Sequence, residues 1–255
     1  MTAISFYSNA QFQESFSDGN FTVNPVWLGD IANFEINSNN QLHLNAPAVT
    51  DESAIVTASN ASVDGFWEFY VDLQFNPSGS NRAYVYIVSD QSDLKGSLDG
   101  YYVLVGSTAD EISLYRQNGS TSTKIIDGID GTVATTPKVK IKVSRDLFGN
   151  FELFSDTSVA FNNYISEGTV FDNTVMESNY FGFLCDYTST RSDKFTFDSI
   201  NVTAQVFTDI FAPKVTAVEI ENVNTLKVYF SEELENVIAE NEANYSGNNN
   251  LGTPI

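Results

Sequence analysis

At 255 residues, with 42% apolar residues, 20 Phe and 12 Tyr, the chain is long and aromatic enough to bury a large core without cross-links. Twelve basic residues stand against 33 acidic ones, a net charge of −21. Such a surface repels nucleic acid and anionic membranes, leaving neutral glycans, cations or plain solubility as its uses.

The first ten residues are small and apolar, and Ser8-Asn9-Ala10 before Gln11-Phe12 has the small-x-small form of a leader cleavage site. Residues 1–10 read either as a signal-peptide remnant, which places the mature chain outside the cytoplasm and starting at Gln11, or as an ordinary N-terminal tail. Short strands follow near Phe12–Phe16, Phe21–Leu28, Phe34–Asn37, Leu42–Asn45 and Ser53–Ser59. Phe66–Phe75 is the clearest strand: Trp67, Phe69, Val71, Leu73 and Phe75 share one face, and Glu68, Tyr70, Asp72 and Gln74 the other. In Arg82–Val88, Ala83, Val85 and Ile87 alternate with Arg82, Tyr84 and Tyr86. The turn-rich Asn76–Asn81 separates the two strands.

Further strands are expected over Tyr101–Val105, Glu111–Gln117, Lys138–Ser144, Phe151–Phe154, Tyr180–Tyr187 and Lys194–Thr203. Phe148-Gly149-Asn150 sets a hairpin, and the phase change between Phe197 and Ile200 requires a bulge near Asp198-Ser199. Cys185, the single cysteine, alternates with Phe181, Phe183 and Tyr187 and reads as a buried, inert thiol. More than ten strands without helical periodicity predict an all-β, two-sheet antiparallel jelly-roll sandwich over residues 11–208. After Pro213, Val215–Glu221 and Thr225–Phe230 pair as a hairpin, and Ser231–Tyr245 has helical-turn spacing. Residues 209–255 are too few for a domain and read as the beginning of another one. No apolar run reaches the 18 residues of a membrane span.

The segments ESFSDGNFTVNPVWLGD, GFWEFYVDLQFNPSGSN, VYIVSDQSDLKGSLDGYYV, ISLYRQNG, VSRDLFGNFELF and KFTFDSINV resemble the N-terminal concanavalin A-like (laminin-G-like) jelly-roll module of exported Bacteroidetes proteins. APKVTAVEIENVNTLKVYFSEELENVIAENEANYS resembles the start of a surface-layer-type Ig-like domain. The resemblance implies export, by the type IX system, to the cell surface or beyond. It implies no one activity, because this fold serves lectins, hydrolases and spacers.

Chemistry is sparse in the sequence. His43 is the lone histidine, which leaves neither a Ser-His-Asp triad nor a multi-histidine zinc site. Glu68 and Asp72 have the wrong spacing for the Glu-x-Asp-x-x-Glu strand of glucanases on this fold, so no catalytic residue is assigned. Asp18 and Asp198 are candidate ligands for one structural calcium ion, the Asp127–Gly131 loop being a further oxygen source. Tyr70, Tyr84 and Tyr86, beside Glu68, Asp72 and Arg82, are expected to form one sugar-binding surface, with Tyr102 or Tyr115 joining them. The expected function is non-catalytic recognition of glycan, matrix or another surface protein. A structural spacer and a glycoside hydrolase or lyase are the rival readings.

Overall fold

The computed structural model describes residues 11–208, 213–232, 234, 239 and 241–244. The expected leader remnant, residues 209–212 of the junction, and Val237, Ile238 and Tyr245 of the expected helical turn lie outside the described residues. The chain divides into two compact units, Met1–Phe207 and Thr208–Ile255.

The first unit is a sandwich of two antiparallel sheets. Its strands are β1 (Phe12–Glu14), β2 (Trp27–Gly29), β3 (Phe34–Ile36), β4 (Leu42–Leu44), β5 (Asp51–Ala58), β6 (Gly65–Leu73), β7 (Arg82–Ser89) and β8 (Gly100–Gly106). They continue with β9 (Glu111–Asn118), β10 (Thr121–Ile126), β11 (Lys138–Arg145), β12 (Asn150–Asp156), β13 (Ile165–Phe171), β14 (Tyr180–Tyr187) and β15 (Phe195–Val202). One sheet runs β13-β12-β11-β6-β15-β4-β3, with β1 also paired to β15; the other runs β10-β9-β8-β7-β14-β5-β2.

Period-two patterning makes this architecture. Trp67, Phe69, Val71 and Leu73 of β6 are fully buried, as are Ala83, Val85 and Ile87 of β7 and Val139, Ile141 and Val143 of β11. Phe183 joins the layers: its ring stacks on Trp27 (centroids 5.5 Å apart) and on Phe197 of the facing sheet (4.1 Å). Cys185 is buried in this layer, and burial raises its pKa well above the ordinary thiol value. The hairpin at Phe148–Asn150 joins β11 to β12, with Gly149 at φ +100°. The expected bulge is present. Between Asp198↔Tyr70 and Asn201↔Glu68, β15 gains one residue on β6, and Ser199 has φ +52°. That shift lets Phe195, Phe197, Ile200 and Val202 all enter the core.

Three expectations are corrected. Phe21–Leu28 is not one strand; only Trp27–Gly29 pairs, on β5. The Asn20 side chain accepts hydrogen bonds from the backbone N–H groups of Thr22 and Val23, an Asx turn that competes with pairing. Strands β10 and β13 were not anticipated. Both are edge strands with mostly exposed side chains, so the alternation that reveals an internal strand is missing. Finally, β6 and β7 are not neighbours: they belong to opposite sheets.

In the second unit, β16 (Val215–Asn222) and β17 (Thr225–Phe230) form the expected hairpin. Val218, Ile220 and Leu226 on it are exposed. Two three-residue 3-10 turns, Ile31–Asn33 and Glu242–Asn244, interrupt the β structure. Among the described residues, no helix is long and apolar enough to cross a membrane.

Candidate functional site

The separation of β6 from β7 divides the six expected sugar-binding residues into two groups on opposite outer faces. Glu68, Tyr70 and Asp72 project from β6. There Glu68 forms an ion pair with Lys140 (2.7 Å), Asp72 lies 3.5 Å from Lys138, and Tyr70 packs edge-on against Phe161. Register explains the pairing, because Lys140 lies opposite Tyr70 and Lys138 opposite Asp72 on β11. These carboxylates serve a charged strand pair.

Arg82, Tyr84 and Tyr86 lie on the other outer face, where β8 and β9 add Tyr102 and Tyr115. Cross-strand register places Tyr86 opposite Tyr102, and Tyr102 opposite Tyr115. Tyr102 stacks parallel on Tyr115 (centroids 5.1 Å apart, planes 3° apart) and meets Tyr84 at 5.3 Å and Tyr86 at 5.0 Å. Tyr84 and Tyr115 are half-buried, whereas Tyr86 and Tyr102 are only 3% and 4% exposed. The Tyr86 hydroxyl donates to Gln117 Oε1 (2.7 Å). Burial raises the pKa of all four phenols, so they stay neutral donors through the physiological range.

The segment 90–99 folds over one side of this tyrosine row. Leu94 and Leu98 are buried against Tyr86, Tyr102, Leu104 and Leu184. Two glycines make room for them. A Cβ on Gly182 would lie 3.0 Å from Leu94 Cδ1, and one on Gly100 3.2 Å from Leu98 Cδ1, with still closer clashes on backbone. Gln117 Nε2 donates to the carbonyls of Gly96 and Gly119, and Asp99 accepts from Gly119 N–H, tying the segment to the β9–β10 turn. Lys95 is held by Asp30 (2.7 Å).

The result is a cleft of about 410 Å³ lined by Glu52, Tyr84, Lys95, Tyr102, Gln117 and Ser122, with Tyr86, Leu94, Gly96, Ser97, Ser120 and Leu184 completing the wall. Aromatic rings beside hydroxyl, amide and carboxylate groups are the chemistry that recognises a polyhydroxylated ring: apolar C–H faces stack, and polar edges hydrogen-bond. A larger recess, about 560 Å³, lies along the Arg145–Asp146 and Asn150–Glu152 segments. Most of its polar groups are engaged: the Arg145 terminal nitrogens donate to the Ser62 and Asp172 carbonyls, and Asp146 accepts from Phe148, Asn150 and the Asn150 amide.

No protein-family model matches the chain, and no curated protein matches it in sequence. Solved structures do. The exoplasmic/lumenal domain of VIP36 with Ca²⁺ and Man3GlcNAc bound aligns with a TM-score of 0.54 at 15% identity, over 72% of this chain and 85% of that domain. The metal-free carbohydrate recognition domain of Emp46p aligns at 0.51 and 9% identity, over 74% of this chain and 93% of that one. The architecture is the lectin-type jelly roll. A structure reported with endo-acting O-glycanases of the human gut microbiota that initiate mucin breakdown shares it, at 0.54 and 10% identity, over 77% of this chain and all of that one. At these identities the likeness is one of fold.

The calcium expectation can be set against the donors. The terminal strands do meet, β1 on β15. Asp18, however, accepts both hydrogen bonds of an Asn20 turn, and Asp198 accepts from Ser199 N–H and the Gln41 amide. Asp127 pairs with Lys124. Among the described residues, no group of three or more His, Cys, Asp or Glu is placed to hold a metal ion. The donors as arranged do not fit a calcium site. His43 is half-buried, its Nδ1 3.2 Å from Thr196 Oγ1.

Proposed function

We propose that the chain is a non-catalytic glycan-binding module of an exported protein, and that its glycan site is the tyrosine cleft on the outer face of the β7–β8–β9 sheet. The observation that carries this reading is the row Tyr84, Tyr102 and Tyr115 beside the polar edges of Glu52, Ser97, Ser120 and Ser122. Similarity to domains described with bound mannose oligosaccharide supports it. Export is supported by the lumenal or exoplasmic setting of those domains and by the resemblance of residues 12–206 to exported Bacteroidetes modules. In the same reading, residues 209–255 begin an Ig-like domain.

The absence of catalysis is part of the proposal. Glu68 and Asp72, the pair nearest to a glycosidase pattern, are paired with lysines on the far face. A glycan array probed with the whole chain tests binding, with the Y115A variant as control. Incubation with the polysaccharides that score, followed by a reducing-end assay, tests catalysis. Reducing ends released by the native chain and not by E52Q would replace this reading with a hydrolase centred on Glu52 and its cross-strand partner Asp186.

A further inference from the structure

The charges around the cleft are unevenly engaged. Lys95 pairs with Asp30 at 2.7 Å. Arg82 pairs with Asp186 at 3.3 Å while lying over the Tyr84 ring. Lys124, beside Tyr115, sits between Glu111 and Asp127. Each cation is thus neutralised by a carboxylate of the protein. Glu52 differs. It lines the cleft with Tyr84 and Lys95, yet among the described residues its carboxylate has neither a hydrogen-bond partner nor an ion pair. Asp186, its cross-strand neighbour, and Asp51 act on it as like charges, and Lys95 and Arg82, each already paired with another carboxylate, act on it as opposite ones.

A half-buried carboxylate without a donor is an open acceptor. Hydroxyl or ammonium hydrogens presented to it form charge-assisted bonds, about twice as strong as neutral ones. A ligand carboxylate or sulfate in the same place would meet Glu52, while the cations beside it, Lys95 and Arg82, are already paired with Asp30 and Asp186, on a chain of net charge −21. We infer that the cleft selects uncharged or amino sugars, with Glu52 as the acceptor for their hydroxyl or amino hydrogens, and excludes uronate, sialylated and sulfated glycans.

This rests on the glycan reading of the cleft, and the experiment separates the two. The whole chain is titrated at neutral pH and physiological salt with neutral hexose oligosaccharides, chitosan oligosaccharides and oligogalacturonates of matched length, and the set is repeated with E52Q. The expected result is binding of the first two, with the galacturonates weaker by about tenfold or more. E52Q should weaken the neutral and amino ligands by about tenfold and narrow the gap to the acidic ones. Galacturonates binding as tightly as neutral ligands, or an E52Q variant with unchanged affinities, overturns the inference and leaves the glycan site standing. Binding to none of the three overturns the glycan reading, and this inference with it.

Discussion

Phe183 and Phe197 stack across the middle of the sandwich, ring centroids 4.1 Å apart and planes 17° apart, one from each sheet. Phe183 also touches Trp27 of β2 and Phe181 of its own strand, so its ring links two strands of one sheet to the facing layer. Truncation to alanine leaves a cavity bordered by large rigid rings that cannot collapse into it. F183A should lose about 3–5 kcal/mol in urea denaturation. A loss below about 1 kcal/mol would show that the two layers are not joined there.

Carboxylates set the pH dependence of stability, in two opposing windows. Burial raises the pKa values of Glu14, Glu52 and Asp198; nearby acids add to the shift at Glu14 and Glu52, and hydrogen bonds at Glu14 and Asp198 oppose it. Their folded forms bind protons more tightly than the unfolded chain, so their contribution is complete below the ordinary values of 4.5 and 3.8 and fades as pH rises through the raised ones. Asp172 runs the other way. Burial would raise its pKa, but hydrogen bonds from Tyr101 and Thr174 and the Arg116 charge lower it overall. Its contribution is complete above 3.8 and is lost as pH falls through the lowered value. Thermal melts should therefore show Tm rising from pH 7 to about pH 5 and dropping below about pH 4. A Tm that falls steadily from pH 7 downward contradicts these assignments.

Cys185 is fully buried on the core face of β14, and its raised pKa disfavours the thiolate that reacts. An aromatic disulfide reagent should label no thiol in the native protein and one after unfolding in denaturant. Labelling within minutes under native conditions would place the residue elsewhere.

The division at Phe207 implies that the sandwich is self-sufficient. Phe207 N–H still bonds Ser62 Oγ, and Gln205 pairs with Val63, so the sandwich's own hydrogen bonding runs to the end of the first unit. A fragment of residues 11–207 should unfold in one cooperative transition and keep any glycan affinity of the whole chain. A fragment that is molten, or that loses binding, would make residues beyond Phe207 part of the working unit.

The fold could be read in the sequence wherever strands are internal. Trp67 to Leu73 and Val139 to Val143 alternate because one face is buried, and parity then fixes every side chain to core or surface. Parity says nothing about which sheet a strand joins. Tyr70 and Tyr84 were both legible as outward residues, yet the turn-rich Asn76–Asn81 carries the chain from one layer to the other, so the two tyrosines face opposite ways. Glu52 and the Leu94–Leu98 wall were missed for a related reason. Glu52 is brought to the tyrosines by pairing of β5 on β14 and β14 on β7, across 32 residues of sequence from Tyr84, and no local pattern marks it. Gly100 and Gly182 carried a faint signal: a glycine inside a strand marks a close approach, here of the Val88 and Ile55 carbonyls of neighbouring strands, with the leucines next.

The most direct test of the glycan cleft is calorimetric titration of one oligosaccharide that scores on the array into the native chain, Y84A, Y115A and Y70A. Tyr84 lines the cleft and Tyr115 stacks on its Tyr102 on the same face, and Tyr70 lies on the other. The account predicts that Y84A and Y115A each weaken binding by about 1–3 kcal/mol, the scale of a lost stacking ring, while Y70A leaves it unchanged. Weakening by Y70A, with Y84A and Y115A binding like the native chain, would contradict it.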